Sequence, residues 1–211
     1  MAGTLSVSHI QGLATHSDPT TVSIASGHQL HQPGMGLQTQ FARHTEKSII
    51  NSTSFQAIFT CSITPKFASS KILIQAQFSG SHRNYHSGLV RIYRNIGGTV
   101  TVQGGGLDTQ DVGTQWSNVW FNIRKEHTDS TYNYSVHTYS GSHLDSPNTT
   151  SEIIYTMSGM TTGDTGTGYG LYVNRTGQNT QVYDSSCCCT LTLTEIAQWV
   201  ILEHKMRPQL N

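Results

Sequence analysis

Histidine is the residue type with the most obvious potential for chemistry in this chain, which contains eleven of them. His82 and His86 would share a metal ion on a helix, where side chains four residues apart lie on one face. In an extended chain the same two residues are roughly 13 Å apart, because a strand rises about 3.3 Å per residue. The neighbouring serines and glycines favour a solvated loop between strands, so no metal site is predicted from this pair.

His28 and His31 form a second pair, in the segment Gly27-His28-Gln29-Leu30-His31. A residue close to a three-fold axis is present three times, so this pair could build a metal site in a trimer that one chain cannot build. The alternative is a turn with polar side chains, and this is the interpretation that the sequence favours.

The other soft metal ligands are consecutive, at Cys187, Cys188 and Cys189. Neighbours on a strand point to opposite faces, whereas zinc sites need cysteines spaced so that two sulfurs converge, as in C-x2-C. We interpret them as strand residues, since a buried cysteine behaves as a small hydrophobic side chain. The glycine-rich stretch Gly163–Gly170 lacks the Lys-Ser/Thr of a phosphate-binding loop. Acidic residues are scattered, so we predict no catalytic residue, no metal and no cofactor, and expect the chain not to be an enzyme.

Binding of a glycan is a chemistry that the sequence supports better. Tyrosines and tryptophans occur among Asn, Gln, Asp and Ser, a mixture that can stack on sugar rings and hydrogen-bond their hydroxyls. This mixture is densest near two predicted loops, Gly104–Gln115 and Gly141–Asn148. Structural loops without a ligand are the alternative, and this is the interpretation that the sequence favours. The candidate glycan or receptor contacts are Trp116, Tyr139, His143 and Asp145.

Composition excludes several classes of partner. Charged residues make up only 11% of the 211 residues, and 12 basic residues balance 12 acidic ones. A nucleic-acid binder needs a basic stripe that displaces counterions from phosphates, and none is present. The longest apolar run, Trp199–Leu202, is far shorter than the ~20 residues of a membrane span. We expect no nucleic-acid partner, no membrane insertion, and synthesis in a cytosol without a signal peptide. So little charge suggests that other subunits cover much of the surface.

The elements that position these residues are predicted to be strands. Short runs alternate apolar and polar residues, with glycine-rich turns between them, and this pattern is typical of an antiparallel β-sandwich or jelly roll. We expect three regions: an extended N-terminal arm (1–45), a β-sandwich domain (46–196) and a C-terminal docking tail (197–211). The strands are predicted at 55–63, 72–78, 89–94, 99–103, 119–124, 131–139, 153–157, 169–174 and 187–196.

Two of these strands show which side chains should be inside. Phe55, Ala57, Phe59, Cys61 and Ile63 should share the buried face of the first, which ends at Pro65 because proline cannot donate to a ladder. The second should bury Ile72, Ile74, Ala76 and Phe78. We expect these two strands to be paired neighbours, joined by the segment 65–70. The last strand should bury Leu191 and Leu193.

The same region resembles a known family. Ser52–Phe55 followed by Cys61–Ile74 is similar to the pattern S-x-S-F … S-I-T-P-x-x-x-x-S-K-I-L-V of virion structural proteins in marine bacteriophages, cyanophages especially. The segment Leu5–Gly12 resembles the beginning of their N-terminal arm, and Leu89–Arg94 resembles a strand ending in L-x-R. Thr190–Ile196 resembles their closing strand, S-L-T-L-M-E-I. The resemblance spans most of the chain, although its most specific part is about twenty residues.

The resemblance implies a compact β-sandwich behind an arm, commonly a homotrimer, bound to a virion as a tail-fibre or appendage protein. It implies no catalytic residue. This chain continues past the family's closing strand, from Ala197 to Asn211, which suggests docking onto a tail or capsid component. The candidate docking residues are Leu5, Val7, Ile10, Trp199 and Leu202.

Three functions follow as hypotheses. The first is a trimeric phage tail-fibre or appendage protein for host attachment, located in the virion and made in the cytoplasm of the bacterial host. Its partners would be copies of itself, other virion proteins and a host cell-surface glycan. The second is a capsid decoration protein that stabilises or decorates the head. The third is a free intracellular lectin.

Overall fold

The computed structural model describes residues 33–83, 86–104, 118–124, 135–163, 165–166, 170–177 and 187–198. These ranges contain strands and no helix, so the predicted all-β class is confirmed. No helix in them could span a membrane. The strands are β1 (Gly36–His44), β2 (Ser48–Ile50), β3 (Gln56–Ile63), β4 (Lys71–Arg83), β5 (Ser87–Ile96), β6 (Thr99–Gln103), β7 (Phe121–Arg124), β8 (His137–Asp145), β9 (Ile153–Thr161), β10 (Gly170–Val173) and β11 (Cys189–Ile196).

The first sheet has six strands and is organised around β4, its longest strand. One edge of β4 pairs with β8. The other edge pairs with β11 up to Gln77 and with β10 from Gly80 onward, so β11 and β10 lie end to end along it. Beyond them, β1 pairs with β11 and β2 pairs with β10.

The second sheet has five strands and repeats this plan around β5. One edge of β5 pairs with β9, which in turn pairs with β3. The other edge pairs with β7 over Ser87–Val90 and with β6 over Ile92–Ile96. All pairs in both sheets are antiparallel, and a single hydrophobic cluster draws side chains from both, as the predicted sandwich requires.

The strands are paired in a nested way along the chain. β1 pairs with β11, β3 with β9, β4 with β8, and β5 with β6. β3 and β4 therefore lie in different sheets, and the expectation that they are paired neighbours is wrong. The segment after Pro65 crosses from one sheet to the other, which lets both strands bury an apolar face in the same core. Alternation alone cannot distinguish these arrangements, because it reports only which face is buried.

The predicted inner faces of β4 and β11 are confirmed. Ile72, Ile74 and Phe78 are fully buried, as are Leu191 and Leu193, and the outward Thr190, Thr192 and Thr194 are half-buried. Leu193 lies directly opposite Ile74 in the pairing of β11 with β4. The sandwich core therefore has the aliphatic side chains that the two-residue rhythm predicted.

The predicted inner face of β3 is only half correct. Cys61 and Ile63 are buried, but Ala57 is exposed, and Phe55 packs edge-on against outward-facing Tyr93. The register with β9 shifts between Ala57 and Phe59, which marks a β-bulge. A bulge inserts one extra residue, so the side chains before it point to the opposite face from those after it. Phe55 and Ala57 are consequently outside the sandwich.

The predicted domain limits also change. β1 begins at Gly36, inside the range assigned to the arm, and pairs along most of its length with β11. Its inner residues include Gln38 and Gln40, so it has little apolar rhythm to reveal it. At the other end Ala197 is fully buried, and its amide donates to the Met35 carbonyl. Residues 1–32 lie outside the described residues, so the arm stays a prediction.

Candidate functional site

Three of the four predicted glycan contacts lie on β8, the edge strand next to β4. Tyr139, His143 and Asp145 alternate with exposed Ser140, Ser142 and Leu144 and are more buried than these neighbours. They face the second sheet rather than solvent. Residues 141–145, predicted as part of a loop, belong to this strand. Trp116, and the predicted loop after Gly104, lie outside the described residues.

Asp145 has a structural environment that is incompatible with a glycan contact. It is 5% exposed, and both carboxylate oxygens accept from Arg94 Nη1, at 2.7 and 2.9 Å. The Tyr155 hydroxyl donates to Asp145 Oδ2 at 2.7 Å. Burial and the adjacent carboxylate raise the pKa of Tyr155, so it stays protonated and remains a donor. Asp145 therefore links the two sheets, and its predicted role is corrected.

Tyr139 and His143 pack against aromatic side chains of the second sheet. The Tyr139 ring lies 6.1 Å from that of Phe121, and the His143 ring lies 6.4 Å from that of Trp120. Burial raises the pKa of the Tyr139 hydroxyl. Trp120 is fixed in turn, since its indole nitrogen donates to the Gln103 carbonyl. These rings pack along one side of the sandwich, and Tyr139 and His143 are half-buried against the second sheet.

His82 is not in a solvated loop. It lies within β4, is 5% exposed, and its Nε2 is 2.9 Å from the Thr161 hydroxyl. That hydroxyl donates to the Gly163 carbonyl at 2.7 Å, so His82 Nε2 is the donor of the pair. The residues described contain no group of three His, Cys, Asp or Glu side chains able to hold a metal ion. His28 and His31 lie outside them.

Cys189, Asn174 and His44 bring a thiol, an amide and an imidazole into one region, since His44 and Cys189 are opposite each other in the β1–β11 pair. The thiol donates to Asn174 Oδ1 at 3.2 Å. The Asn174 amide donates to the carbonyls of His44 and Glu46, which ties β1 to the loop after β10. Burial raises the pKa of Cys189 to about 12, so the thiolate that a nucleophile requires is disfavoured. The hydrogen bonds of Cys189 and Asn174 therefore have a structural role.

The raised pKa of Cys189 predicts a loss of stability in alkali. A thiol with an ordinary pKa of 9.0 ionises first in the unfolded chain, so its contribution is complete below about pH 9 and is lost as pH rises toward 12. The free energy of unfolding should fall by up to about 1.4 kcal/mol per pH unit for this group. Urea unfolding at pH 8 and pH 10.5 measures this fall in the free energy of unfolding. Cys189→Ala should make the free energy of unfolding less dependent on pH, whereas Cys188→Ala, at a half-exposed position, should not. If the free energy of unfolding fell equally with pH in wild type and both variants, the effect would not come from Cys189.

The outward side of β4, β8 and β11 forms a surface that the sequence analysis did not recognise as a site. An open cleft of about 380 Å³ lies there, and its side chains are neutral hydrogen-bonding groups. We call this surface the polar face; it consists of Gln75, Gln77, Ser140, Ser142, Thr190 and Thr192. The outward direction of the glutamines and threonines followed from alternation, whereas Ser140 and Ser142 were outside the predicted strands. Only strand pairing brings the three strands side by side.

The outward side of the second sheet is different. A shallow depression of about 290 Å³ lies there. It is lined by the apolar side chains of Phe55, Ala57, Tyr93 and Val100 and by the polar residues Asn95, Thr156 and Ser158. Val100 is 57% exposed, and the Arg91 guanidinium lies 4.3 Å from the centre of the Phe55 ring. We call these four apolar side chains the apolar face. The bulge in β3 creates it, because without the bulge Phe55 and Ala57 would point inward.

The motifs behind the phage resemblance meet at one buried carboxylate. Glu195, in the closing strand, is fully buried and accepts from the backbone amides of Lys66 and Phe67 at 2.8 and 3.3 Å. Gln38 Nε2 donates to it at 2.7 Å. Lys66 and Phe67 follow Pro65 in the first motif. Lys66 and Phe67 contribute only backbone amides to this contact, which holds the turn after β3 against β11.

The candidate docking residues Leu5, Val7, Ile10, Trp199 and Leu202 lie outside the described residues, so their role stays a prediction. Comparison of the sequence with protein-family models and with curated proteins finds no match.

Proposed function

We propose that this chain is a non-enzymatic structural protein of a bacteriophage particle, assembled as a homotrimer in a tail fibre or similar appendage that attaches to the host. The observation that carries the proposal is the apolar face. Phe55, Tyr93 and Val100 lie on the outside of the sheet, where an isolated soluble domain would place polar side chains. Exposed apolar patches of this kind mark sites of protein association.

The low charge of the chain supports the same conclusion. Charged residues are depleted in the centres of protein interfaces, and aromatic residues are enriched there. On the apolar face two aromatic rings pack edge-on at 6.0 Å, and the Arg91 guanidinium is stacked on Phe55. A second copy of this surface, or another virion protein, would cover these side chains with little cost for removing charge from water.

We also assign the sandwich to the jelly-roll type. The nested pairs β1–β11, β3–β9, β4–β8 and β5–β6 are those of one long hairpin. Rolling that hairpin up brings β4 beside β11 and β5 beside β9, as the two sheets have them. Jelly rolls are frequent in viral capsid and lectin domains.

The location is tested with antibodies against this chain, bound to intact phage particles and observed by electron microscopy. Label on the tail or its fibres is the expected result. Label on the head would instead indicate that the chain is a capsid decoration protein. Particles without label, together with free protein in lysed cells, would overturn the virion proposal in favour of a free lectin.

The oligomeric state gives a second prediction. Light scattering after gel filtration should yield about 69 kDa, the mass of three copies of this 23.1 kDa chain. Val100→Lys places a charge on the apolar face and should dissociate the trimer to monomers, because burying an unpaired ammonium costs several kcal/mol. Circular dichroism should show that the variant keeps its strands, since Val100 is exposed within the single chain.

Ser140→Lys is the matched control, at an exposed position on the other sheet. It should leave the trimer intact. A monomeric wild-type protein would contradict the trimer. Dissociation by Ser140→Lys but not by Val100→Lys would place the subunit contact on the polar face instead.

A further inference from the structure

We infer that the polar face is a binding site for a neutral glycan, which lies across the strands of the six-stranded sheet. The inference deepens the proposed attachment role and rests on it, because it gives the position of the receptor site and the chemical class of its ligand. It also moves that site away from Tyr139, His143 and Asp145, which face the interior.

Strand pairing arranges the side chains in two parallel rows. In the first row Phe41 is opposite Thr192, Thr192 is opposite Gln75, and Gln75 is opposite Ser142. This row crosses four strands and is roughly 14 Å long, since neighbouring strands are about 4.8 Å apart. The second row, two residues along, contains Thr190, Gln77 and Ser140. A short oligosaccharide has the length to follow either row.

The side chains in these rows offer both donors and acceptors. Each glutamine amide has an acceptor oxygen and two donor hydrogens, and each hydroxyl can donate and accept. Within the described part of the chain, other side chains do not hydrogen-bond these six residues. Sugar hydroxyls need the same mixture of donors and acceptors, so the surface is complementary to a polyhydroxylated ligand.

Charge and aromatic character narrow the ligand further. The six residues of the polar face are uncharged, so nothing among them would offset the charge of an ionised ligand. Arg43, opposite Thr190 on β1, is a cation at one end of the second row. Phe41 ends the first row and is 62% exposed, which leaves a large apolar surface for the C–H groups of a sugar ring. The six uncharged side chains, together with the exposed ring of Phe41, favour a neutral glycan over an anionic one.

A second copy of the chain is a poorer occupant of this surface. Interface centres are rich in apolar and aromatic side chains, and within the two rows Phe41 is the single aromatic residue. The serines of β8 are small beside the glutamines of β4, which leaves a cleft rather than a flat surface. A narrow ligand fills such a cleft better than another sheet does.

The test is calorimetric titration of the full-length protein with maltohexaose, cellohexaose, mannohexaose and triacetylchitotriose, and with oligogalacturonate as the anionic comparison. At least one neutral oligosaccharide should bind. Thr192→Val removes one hydroxyl at constant shape and should raise Kd about 5- to 10-fold. Phe41→Ala should raise Kd about tenfold. Thr60→Val, at an exposed position of β3 on the other sheet, should leave Kd unchanged.

Thermal unfolding of each variant shows whether it is folded. No binding of any neutral oligosaccharide, binding of oligogalacturonate alone, or the same Kd in Thr192→Val, Phe41→Ala and wild type would each overturn the inference. The glycan site and the virion role would be refuted by different results. A chain labelled on phage tails that binds none of the neutral glycans keeps the proposed function and loses this site. Glycan binding through Thr192 and Phe41 by a chain absent from particles keeps the site and removes the virion role.

Discussion

Ile74→Asp should abolish the folded, soluble protein. Ile74 is fully buried in β4, between β8 and β11, and belongs to the hydrophobic cluster that joins both sheets. The substitution removes a buried aliphatic side chain, which costs about 2 to 5 kcal/mol. It also leaves an unpaired carboxylate inside, at several kcal/mol more. Because domains are stable by only about 5 to 15 kcal/mol, we expect loss of cooperative unfolding and of soluble trimer.

Gln75→Asp is the matched control, one residue along the same strand and exposed on the polar face. It should change the free energy of unfolding by about 1 kcal/mol or less, the range of strand propensities. Leu193→Asp, opposite Ile74, should repeat the severe effect. The measurements are urea unfolding and gel filtration. Normal folding of Ile74→Asp and Leu193→Asp would contradict the inward assignment of both strands.

Asp145→Ala should be the most destabilising change among the predicted glycan contacts. The substitution removes the carboxylate that accepts from Arg94 and Tyr155. The guanidinium and the hydroxyl then lie between the sheets without this acceptor. Breaking a buried ion pair costs about 3 to 5 kcal/mol, and we expect the lower end because the Arg94 side chain is 19% exposed. Urea unfolding at neutral pH measures the loss.

A double-mutant cycle shows whether the effect comes from this network. Tyr155→Phe removes one hydrogen bond to a charged group and should cost about 1.5 to 3 kcal/mol. The double variant should lose less free energy of unfolding than the two single variants lose together, because both substitutions remove the same hydrogen bond. Ser142→Ala, an exposed residue of the same strand, should be near neutral. If Asp145→Ala were as stable as wild type but lost glycan binding, the original contact role would be restored.

The placement of Asp145 shows why residue type alone gave the wrong site. Tyr139, His143 and Asp145 have the composition of a sugar site, and they are separated by four and two residues, both even numbers. Residues two apart on a strand share a face, but the sequence does not state which face is inside. In β8 these larger, polar-tipped side chains are inside because the second sheet offers them Phe121, Trp120 and Arg94 as partners.

Strand β1 was missed for a related reason. As an edge strand it covers only part of the core, and its inner side consists of Gln38, Gln40, Ala42 and His44. Its inward positions therefore do not differ clearly from its outward ones. The bulge in β3 was missed because Ile58, Phe59 and the residues before them are all acceptable in either direction. In both places the local sequence is compatible with two arrangements, and the neighbouring strands select one.

The sequence by itself determined the antiparallel all-β class, most strand positions and the buried faces of β4 and β11, because a two-residue apolar rhythm is a local property that burial enforces directly. The tertiary structure decided which strands are neighbours, and thereby everything that depends on several strands at once. The Glu195 contact, the link from Asp145 to Arg94 and Tyr155, and the rows of the polar face each join residues far apart in the chain. Such contacts depend on how the sheets close around a shared core, which no single strand encodes.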